Sequence, residues 1–476
     1  MKILRYFLLL MAAVTMAAGF TACINDDIST SPSDQPTFSV DTLKMGTVFT
    51  EDVTVTHKFT VRNRNDKGIN ISDIRLSGPN ADLFRLNVDG LAGKTFQNVE
   101  IRANDSIYVF VEATLPTNGG TTPQTVNATV DFLTNGVTSH VVLRADGQDV
   151  TRLRALTITE DTHLTKGRPY QIFDSLVVAE GRTLTLDPGA DLRFHDGATF
   201  IVRGTLICNG TLRDPVSIAG DRTGNVITDI TFDLMSRQWN GLQFTVSSHG
   251  NRMVHTHLRN TWYGVIVSGD GKPSADGAPK LWLQNTRLRN SGDLVLEVYN
   301  ADVQAYGCEF AEAANGVVRL QGGSHIFNHC TFANYYLFSA IGGAALTLEH
   351  LSPENDAETG TPYTKALISN SIIYGLGPDI SPGDLLGTEV TLNHCLLRSN
   401  GTDDDNFIAC LWDKDPLYYT VREDYIFDYR VKPESPAIGA GDPALTLPDA
   451  AVDAYGLTRS TTAPTLGAYV YQPPVE

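Results

Sequence analysis

Residues 175–220, SLVVAEGRTLTLDPGADLRFHDGATFIVRGTLICNGTLRDPVSIAG, are a chain of three-residue apolar runs separated by glycine turns. Shifted by 22 residues the stretch lands on itself: Val178 on Phe200, Leu184 on Leu206, Leu186 on Cys208, Phe194 on Val216. A fixed period this short, with strands this short, predicts a parallel β-helix, in which each turn of chain buries its inward residues against the coils above and below. The period continues downstream. Aligning VHTHLRN (254–260), QNTRLRN (284–290), YGCEFAE (306–312), NHCTFAN (328–334), SNSIIYG (369–375) and NHCLLRS (393–399) stacks Thr256, Thr286, Cys308, Cys330, Ser371 and Cys395 in one column. Their spacings are 30, 22, 22, 41 and 24, and the two long gaps hold the polar inserts GDGKPSADGAPK and LSPENDAETGTPYT. Two positions on, the column reads Leu258, Leu288, Phe310, Phe332, Ile373 and Leu397. Small residues on small ones and large apolar residues on large ones are the expected interior. About ten coils at ~4.8 Å each predict a rod about 50 Å long, and strand twist predicts right-handed crossovers.

A His–Cys pair occurs twice, at 329–330 and at 394–395. By itself the pair suggests a metal or thiol site. The repeat makes it scaffold instead, because cysteine is among the most buried residue types and the column is interior. His329 and His394 stand one residue off that column, so strand alternation points them outward. Their own column neighbours are Asn285 and Asn370, not further ligands, so no metal and no firm cofactor is expected here.

Upstream the texture differs. From about 37 to 150 run short alternating segments, TVTHKFTVRN, NISDIRLSG, DSIYVFVEATL, TVNATVDFLT and SHVVLRADG, punctuated by polar and glycine-containing turns. This pattern predicts an antiparallel β-sandwich. The chain therefore reads as all-β, a sandwich followed by a β-helix over 151–430 and a closing segment over 431–476. Before them, MKILRYFLLLMAAVTMAAGFTAC has two basic residues, an apolar run too short to span a bilayer, and small residues leading to Cys23. Residues 1–22 read as a signal peptide, and the polar, acidic stretch 23–36 as a flexible tether. Removing residues 1–22 leaves 34 basic against 54 acidic residues, a charge of −20. Such a chain repels nucleic acid and gives no broad cationic field for strongly anionic polymers.

Three stretches carry resemblances. FTAC resembles a bacterial lipobox, with Phe20 where leucine is usual, and implies lipidation of Cys23; the acids after it resemble the surface-export signal of Bacteroidetes lipoproteins. MGTVFTEDVTVTHKFTVRNRNDKGINISDIRLSG resembles immunoglobulin-like domains of the Hydin and DUF1573 type, which implies a spacer or docking module without a catalytic site. QWNGLQF, YGVIV, LWLQNTRLRNSG and GGSHIFNHCTFANYY resemble lipid-anchored right-handed β-helix proteins of Bacteroidetes, of the pectate-lyase-like superfold. The tail SPAIGAGDP…DAYGLTR…PTLGAYV resembles the closing motif of choice-of-anchor Q β-helix proteins, with Thr465 and Val470 replacing a frequent Asp and Glu. Within it Asp453 and Arg459 read as a structural pair closing the last coils.

No catalytic residues are assigned. Hydrolysis needs two carboxylates across a groove, and the arginine and aspartate motifs of pectate lyases and galacturonases are absent from the sequence. SSHGNR (247–252) mimics part of one such motif but lacks paired aspartates upstream. Asp403, Asp404 and Asp405 supply oxygen ligands suited to calcium, yet they follow SNG and read as a solvated turn. Aromatic rings stack on sugar faces, which makes Trp239, Trp262, Trp282, Tyr335 and Tyr336 the candidate ligand contacts. The expectation is an exported protein, lipid-anchored to the outer membrane and surface-exposed, that recognises an extracellular polysaccharide or protein without turnover. A polysaccharide lyase or glycoside hydrolase, and a structural or adhesive component, are the alternatives.

Anchoring is testable directly. Cys23→Ala should move the protein from the membrane fraction to the soluble fraction, and unchanged membrane retention would mean that something other than a lipid on Cys23 holds it.

Overall fold

The computed structural model describes residues 27–473 except 228–229, 273–276, 350–363, 384 and 386–387. Cys23, the signal segment and most of the 351–364 insert lie outside the described residues. The chain divides into two compact units, Met1–Asp149 and Val150–Glu476. Among the described residues no helix is long and apolar enough to cross a membrane.

The first unit is a two-sheet sandwich. One sheet orders Ile28–Ser29, Gly68–Ser77, Gln124–Thr134, Val137–Gln148 and Thr42–Phe49, with Thr95–Ile101 on a second edge of Gly68–Ser77; the other orders Thr37–Phe38, His57–Arg62, Ser106–Ala113, Phe84–Val88 and Leu91–Gly93. Strand alternation sends Phe59, Val61, Val109, Val111, Val130, Phe132, Val141 and Leu143 into one buried core. Asn135 and Gly136, both with positive φ (50° and 82°), form the tight turn that joins the two longest strands. Residues 27–36 do not stand free as a tether. Ile28 and Ser29 pair with Gly68 and Ile69, and the Asn135 Nδ2 donates to the carbonyls of Ser31 (2.9 Å) and Asp34 (3.1 Å). The acidic, polar composition hid a short edge strand that backbone hydrogen bonds alone can hold.

The second unit is a parallel β-helix of three stacked sheets. One coil is Leu281–Gln284, Arg287–Ser291 and Leu296–Tyr299; each strand pairs with its counterpart one coil away. The first stack holds ten strands. Its interior column runs Met253, Leu283, Ala305, Phe327, Ile368, Leu392 and Phe407. The second stack runs Leu258, Leu288, Phe310, Phe332, Ile373 and Leu397, and the Phe310 and Phe332 rings lie 5.3 Å apart and nearly parallel. Truncating such a ring to alanine costs about 3–5 kcal/mol, since the coils on both sides cannot close the void.

Over residues 175–220 the 22-residue shift describes only the first stack. Leu184 faces Leu206 and Leu186 faces Cys208, but Val178 faces Val202, and Phe194 faces Gly220. Glycine turns of unequal length slip the other two stacks by even numbers of residues, so inward side chains stay inward. Thr256, Thr286, Cys308, Cys330, Ser371 and Cys395 are each fully buried. Side-chain bonds tie neighbours in that column: the Ser371 hydroxyl accepts from the Cys330 amide at 3.0 Å, and the Thr286 hydroxyl from the Thr256 amide at 3.4 Å.

The residue before each of these is the corner between the first and second stacks. His255, Asn285, Gly307, His329, Asn370 and His394 occupy it, and Ala409 continues the row before Cys410, all with φ between 40° and 61°. The histidines are therefore not strand residues that alternate outward. They sit in left-handed corners, and His329 is fully buried.

Cys308, Cys330 and Cys395 are free and fully buried, and burial raises the Cys330 and Cys395 thiols well above their ordinary range. A maleimide at neutral pH should label only Cys410, which is partly exposed, in native mature chain made unlipidated with Cys23→Ala. The other four should react only after denaturation; rapid native labelling of Cys308 or Cys330 would overturn the interior column.

Candidate functional site

Outward positions on a β-helix are normally polar. On the second stack they are Glu309 and Ala311 in one coil, and every residue of that strand is buried. The cover is the C-terminal segment. Tyr418, Tyr429, Val431, Ala437, Leu466, Ala468 and Tyr469 pack on Ala311, Ala333, Ile372 and Leu396. Alanine at the outward positions leaves room for these rings.

The corner residues, and the strand ends just before them, fasten the same segment. Asn370 donates from Nδ2 to the Asp442 carbonyl and accepts from the Asp442 amide at Oδ1, both at 2.9 Å. One coil away, Asn328 donates to the Leu445 carbonyl (2.8 Å) and accepts from the Leu447 amide (3.0 Å). Further along, Gln284 donates to the Asp449 carbonyl at 2.7 Å. His329 meets the Thr446 hydroxyl through Nε2 at 2.9 Å, and loss of water around the ring pushes its pKa well below the usual range. Neutral and fully buried, it fastens chain to chain.

Asp453 and Arg459 belong to this fastening as well. Asp453 accepts the amides of Tyr455 and Leu457 at Oδ1 (both 2.9 Å) and that of Val470 at Oδ2 (2.8 Å). Arg459 donates to the carbonyls of Ala450 and Ala468, each at 2.8 Å. They brace a loop laid on the middle coils, beside Gly307, not the last coils. The tail motif folds back along the flank, because its polar backbone finds the corner amides there.

Between segment and stack lies a buried charged layer. Arg289 forks onto Glu309, with Nη2 2.7 Å from Oε2, and the Tyr469 hydroxyl donates to the same oxygen at 2.5 Å. The Tyr429 hydroxyl donates to Glu312. Arg289 lies 5.5 Å over the Tyr429 ring, and Arg287 lies 5.1 Å over Tyr455 and 5.4 Å over Tyr469. Burial alone would raise both carboxyls. For Glu309 the Arg289 ion pair wins and holds it low; Glu312 lacks a hydrogen-bonded cation and is pushed up to about 8. His257, on the neighbouring coil, is lowered to about 4, by burial first and then by Arg287. At neutral pH the layer holds ionised Glu309 against two arginines, with Glu312 and His257 neutral. Both glutamates are closed to solvent, so they serve as structure and not as an acid–base pair.

Outside this layer opens a cleft of about 560 Å³ lined in part by Tyr419, Asp428, Arg430, Tyr455, Leu457 and Tyr471. Asp428 and Arg430 form a forked pair, Nε to Oδ1 at 3.0 Å and Nη2 to Oδ2 at 2.6 Å. Burial works to raise Asp428, and the hydrogen bonds from Arg430 outweigh it and hold the carboxylate below its usual range. Tyr419 and Tyr455 are 38% and 41% exposed, which is enough to offer a ring to a ligand. Asp428 is the one carboxylate among the residues lining the cleft.

The aromatics singled out from sequence divide sharply. Trp239 is fully buried, stacked on Phe194 at 4.3 Å, with Nε1 donating to the Arg259 carbonyl at 2.8 Å. Tyr336 is buried with its hydroxyl 2.6 Å from Ser236, and Tyr335 packs edge-on to Tyr418 under the C-terminal segment. Trp239 belongs to the interior of the coils, Tyr336 is buried, and Tyr335 is partly buried against the tail. Trp282 is half-covered by Arg252 at 4.4 Å, and Trp262 is exposed beside Tyr263 with Arg237 at 4.8 Å. Asp403 accepts from the Trp412 Nε1 (3.0 Å) and Asp404 from the amides of Asn406 and Phe407 (2.8 and 2.9 Å). Those carboxylates shape a turn, and among the described residues no three His, Cys, Asp or Glu side chains cluster as a metal site would need. The cleft residues escaped sequence reading because they come from a tail without strand period; the tyrosines of DAYGLTR and LGAYVY were its only visible signal.

No family model matches the chain, and no curated protein matches it. Among solved structures it is similar to a protein of unknown function from Porphyromonas gingivalis, at 12% identity and TM-score 0.19, over 27% of this chain and 51% of that one. It is also similar to a family 123 glycoside hydrolase from Clostridium perfringens, at 11% identity and TM-score 0.18, over 24% of this chain and 26% of that one. A third is the ASH/PapD-like domain of human CEP192, at 12% identity and TM-score 0.17, over 26% of this chain and 90% of that domain. The chain thus spans about half and about a quarter of the first two. Similarities this slight carry no argument; the fold rests on the strand pairing above.

The charged layer predicts a pH dependence. A carboxyl whose folded pKa stands above its unfolded value contributes stability below that unfolded value, near 4.5 for Glu312, and loses it as pH rises towards about 8. Glu312→Gln cannot ionise, so melts of the variant and wild type should coincide near pH 4.5, and the variant should gain a few kcal/mol by pH 8.5. A difference that does not change with pH would mean Glu312 is already ionised in the fold.

Proposed function

We propose that this chain is a lipoprotein anchored through Cys23 to the outer membrane and exposed at the cell surface. In this reading an immunoglobulin-like spacer of the Hydin and DUF1573 type carries a right-handed β-helix of the choice-of-anchor Q type. The β-helix recognises a neutral or weakly charged extracellular polysaccharide and does not cleave it.

The observation that carries the reading is the tyrosine cleft. Two exposed rings, Tyr419 and Tyr455, stand beside a forked Asp428–Arg430 pair. Rings cover the apolar faces of a pyranose, while a fixed carboxylate–guanidinium pair offers acceptors and donors to its hydroxyls. With one carboxylate lining the cleft, the two-carboxylate geometry of glycoside hydrolysis has no partner there. The charge of −20 on the mature chain disfavours highly anionic polymers.

A glycan array with the mature chain, followed by titration of the best hit, tests this. Tyr455→Ala should weaken binding about tenfold, the equivalent of one lost ring contact at ~1–1.5 kcal/mol, without changing the melt. Reducing ends or unsaturated sugars accumulating with pure protein would refute the non-catalytic reading; binding indifferent to Tyr455 would move the site elsewhere.

A further inference from the structure

A second cavity, unlike the first, crosses the turns from the third stack back to the first. Three successive turns build it: Val246–Gly250, then Gly269–Lys272 with Ala278–Lys280, then Asn300–Asp302. Its volume is about 170 Å³, the space of five or six water molecules at ~30 Å³ each, which suits one sugar ring. No Phe, Tyr or Trp lines it, and its one ring is the imidazole of His249.

Its polar groups are arranged unusually. Asn300 is 8% exposed, in a left-handed corner (φ 50°), and its Oδ1 is buried without a hydrogen-bond partner. A buried amide oxygen left unmade costs about 1–3 kcal/mol, so a site that keeps one gains by meeting a donor. Across the same cavity the Lys280 ammonium spends one hydrogen on the Val246 carbonyl (2.8 Å) and has further hydrogens to give. Burial lowers Lys280 to about 8, which leaves it largely protonated at neutral pH. Asp270 and Asp302 offset the charges of Lys272 and Lys280 around the rim, with Lys272 3.3 Å from Asp270. An anion would meet those carboxylates, and a divalent cation would meet the ammonium groups. A hydroxyl is the group that donates to Asn300 and accepts from Lys280 at once.

We infer that this cavity, built from the turns around Asn300 and Lys280, is a binding site for a neutral polyhydroxy ligand, one pyranose ring held through its hydroxyls. It is separate from the tyrosine cleft in residues and in chemistry, and it stands whether or not that cleft binds glycan.

The test is saturation-transfer NMR and titration of the mature chain with a panel of neutral methyl pyranosides, alongside inorganic phosphate and calcium. At least one pyranoside should bind at millimolar Kd. Asn300→Gly, which keeps the corner's tolerance of positive φ and removes the acceptor, and Lys280→Met should each weaken it five- to tenfold with unchanged melts. Tyr455→Ala should leave this affinity alone. No pyranoside bound, affinity indifferent to both cavity variants, or loss on Tyr455→Ala alone would overturn the site. Binding of phosphate or calcium in place of sugars would overturn its chemistry.

Discussion

From Val254 onward each coil of this β-helix turns from its first strand to its second through a single left-handed residue, and that residue must accept a positive φ. The constraint is severe, since a side chain in the left-handed region is costly for most residues and least so for Gly, Asn and His. It explains the column His255, Asn285, Gly307, His329, Asn370, His394. The repeated His–Cys pair is the product of two adjacent rules. The corner selects a residue tolerant of the left-handed region, and the next position, facing the interior, selects a small one.

The same corner sets up the flank. Asn and His at a left-handed position keep a polar side chain aimed off the coil, and a row of them is a row of hydrogen-bonding groups at coil spacing. The C-terminal segment uses that row, with its backbone at Asp442 through Asn370 and at Val452 through Asn285 and with the Thr446 hydroxyl through His329, and Asn328, just before a corner, adds Leu445 and Leu447. Once the segment lies there, it buries Glu309 and Glu312 and forces them to find Arg289, Tyr469 and Tyr429. A buried charged layer of this kind seldom adds net stability over an apolar one. Its effect is positional: one fork and three ring contacts fix where Tyr455 and Tyr429 stand, and thereby the wall of the cleft.

Much of the fold was legible because β-helix packing is local and periodic. The Leu258-to-Leu397 column could be written from spacing alone, and its strand register follows it coil by coil. What spacing does not record is backbone sign. Alternation assumes extended residues, so it turned His329 outward, whereas one positive φ buries it. Nor does spacing record cover. Tyr336 reads as a surface residue on a bare coil and is interior only because other chain lies over it. The candidate cleft was the least legible part, since its residues come from a tail whose neighbours in space are more than a hundred positions away in sequence.

The breaks in the period are more informative than the period itself. A coil that only needs to stack returns after 22 residues; the gap from Thr256 to Thr286 is 30. Lengthening a surface turn costs little in closure entropy, so a coil can carry an insert without disturbing the column beneath it. The residues of that longer turn, Gly269–Lys272 and Ala278–Lys280, are the ones that wall the polar cavity against Asn300. A regular turn there would leave the Asn300 amide facing solvent, and a closed one would satisfy it. The insert does neither, which leaves a buried acceptor waiting at the bottom of a space one ring wide. On a scaffold whose interior is fixed by stacking, chemistry has room to vary only where the chain departs from the repeat, and the polar cavity and the tyrosine cleft both lie at such departures.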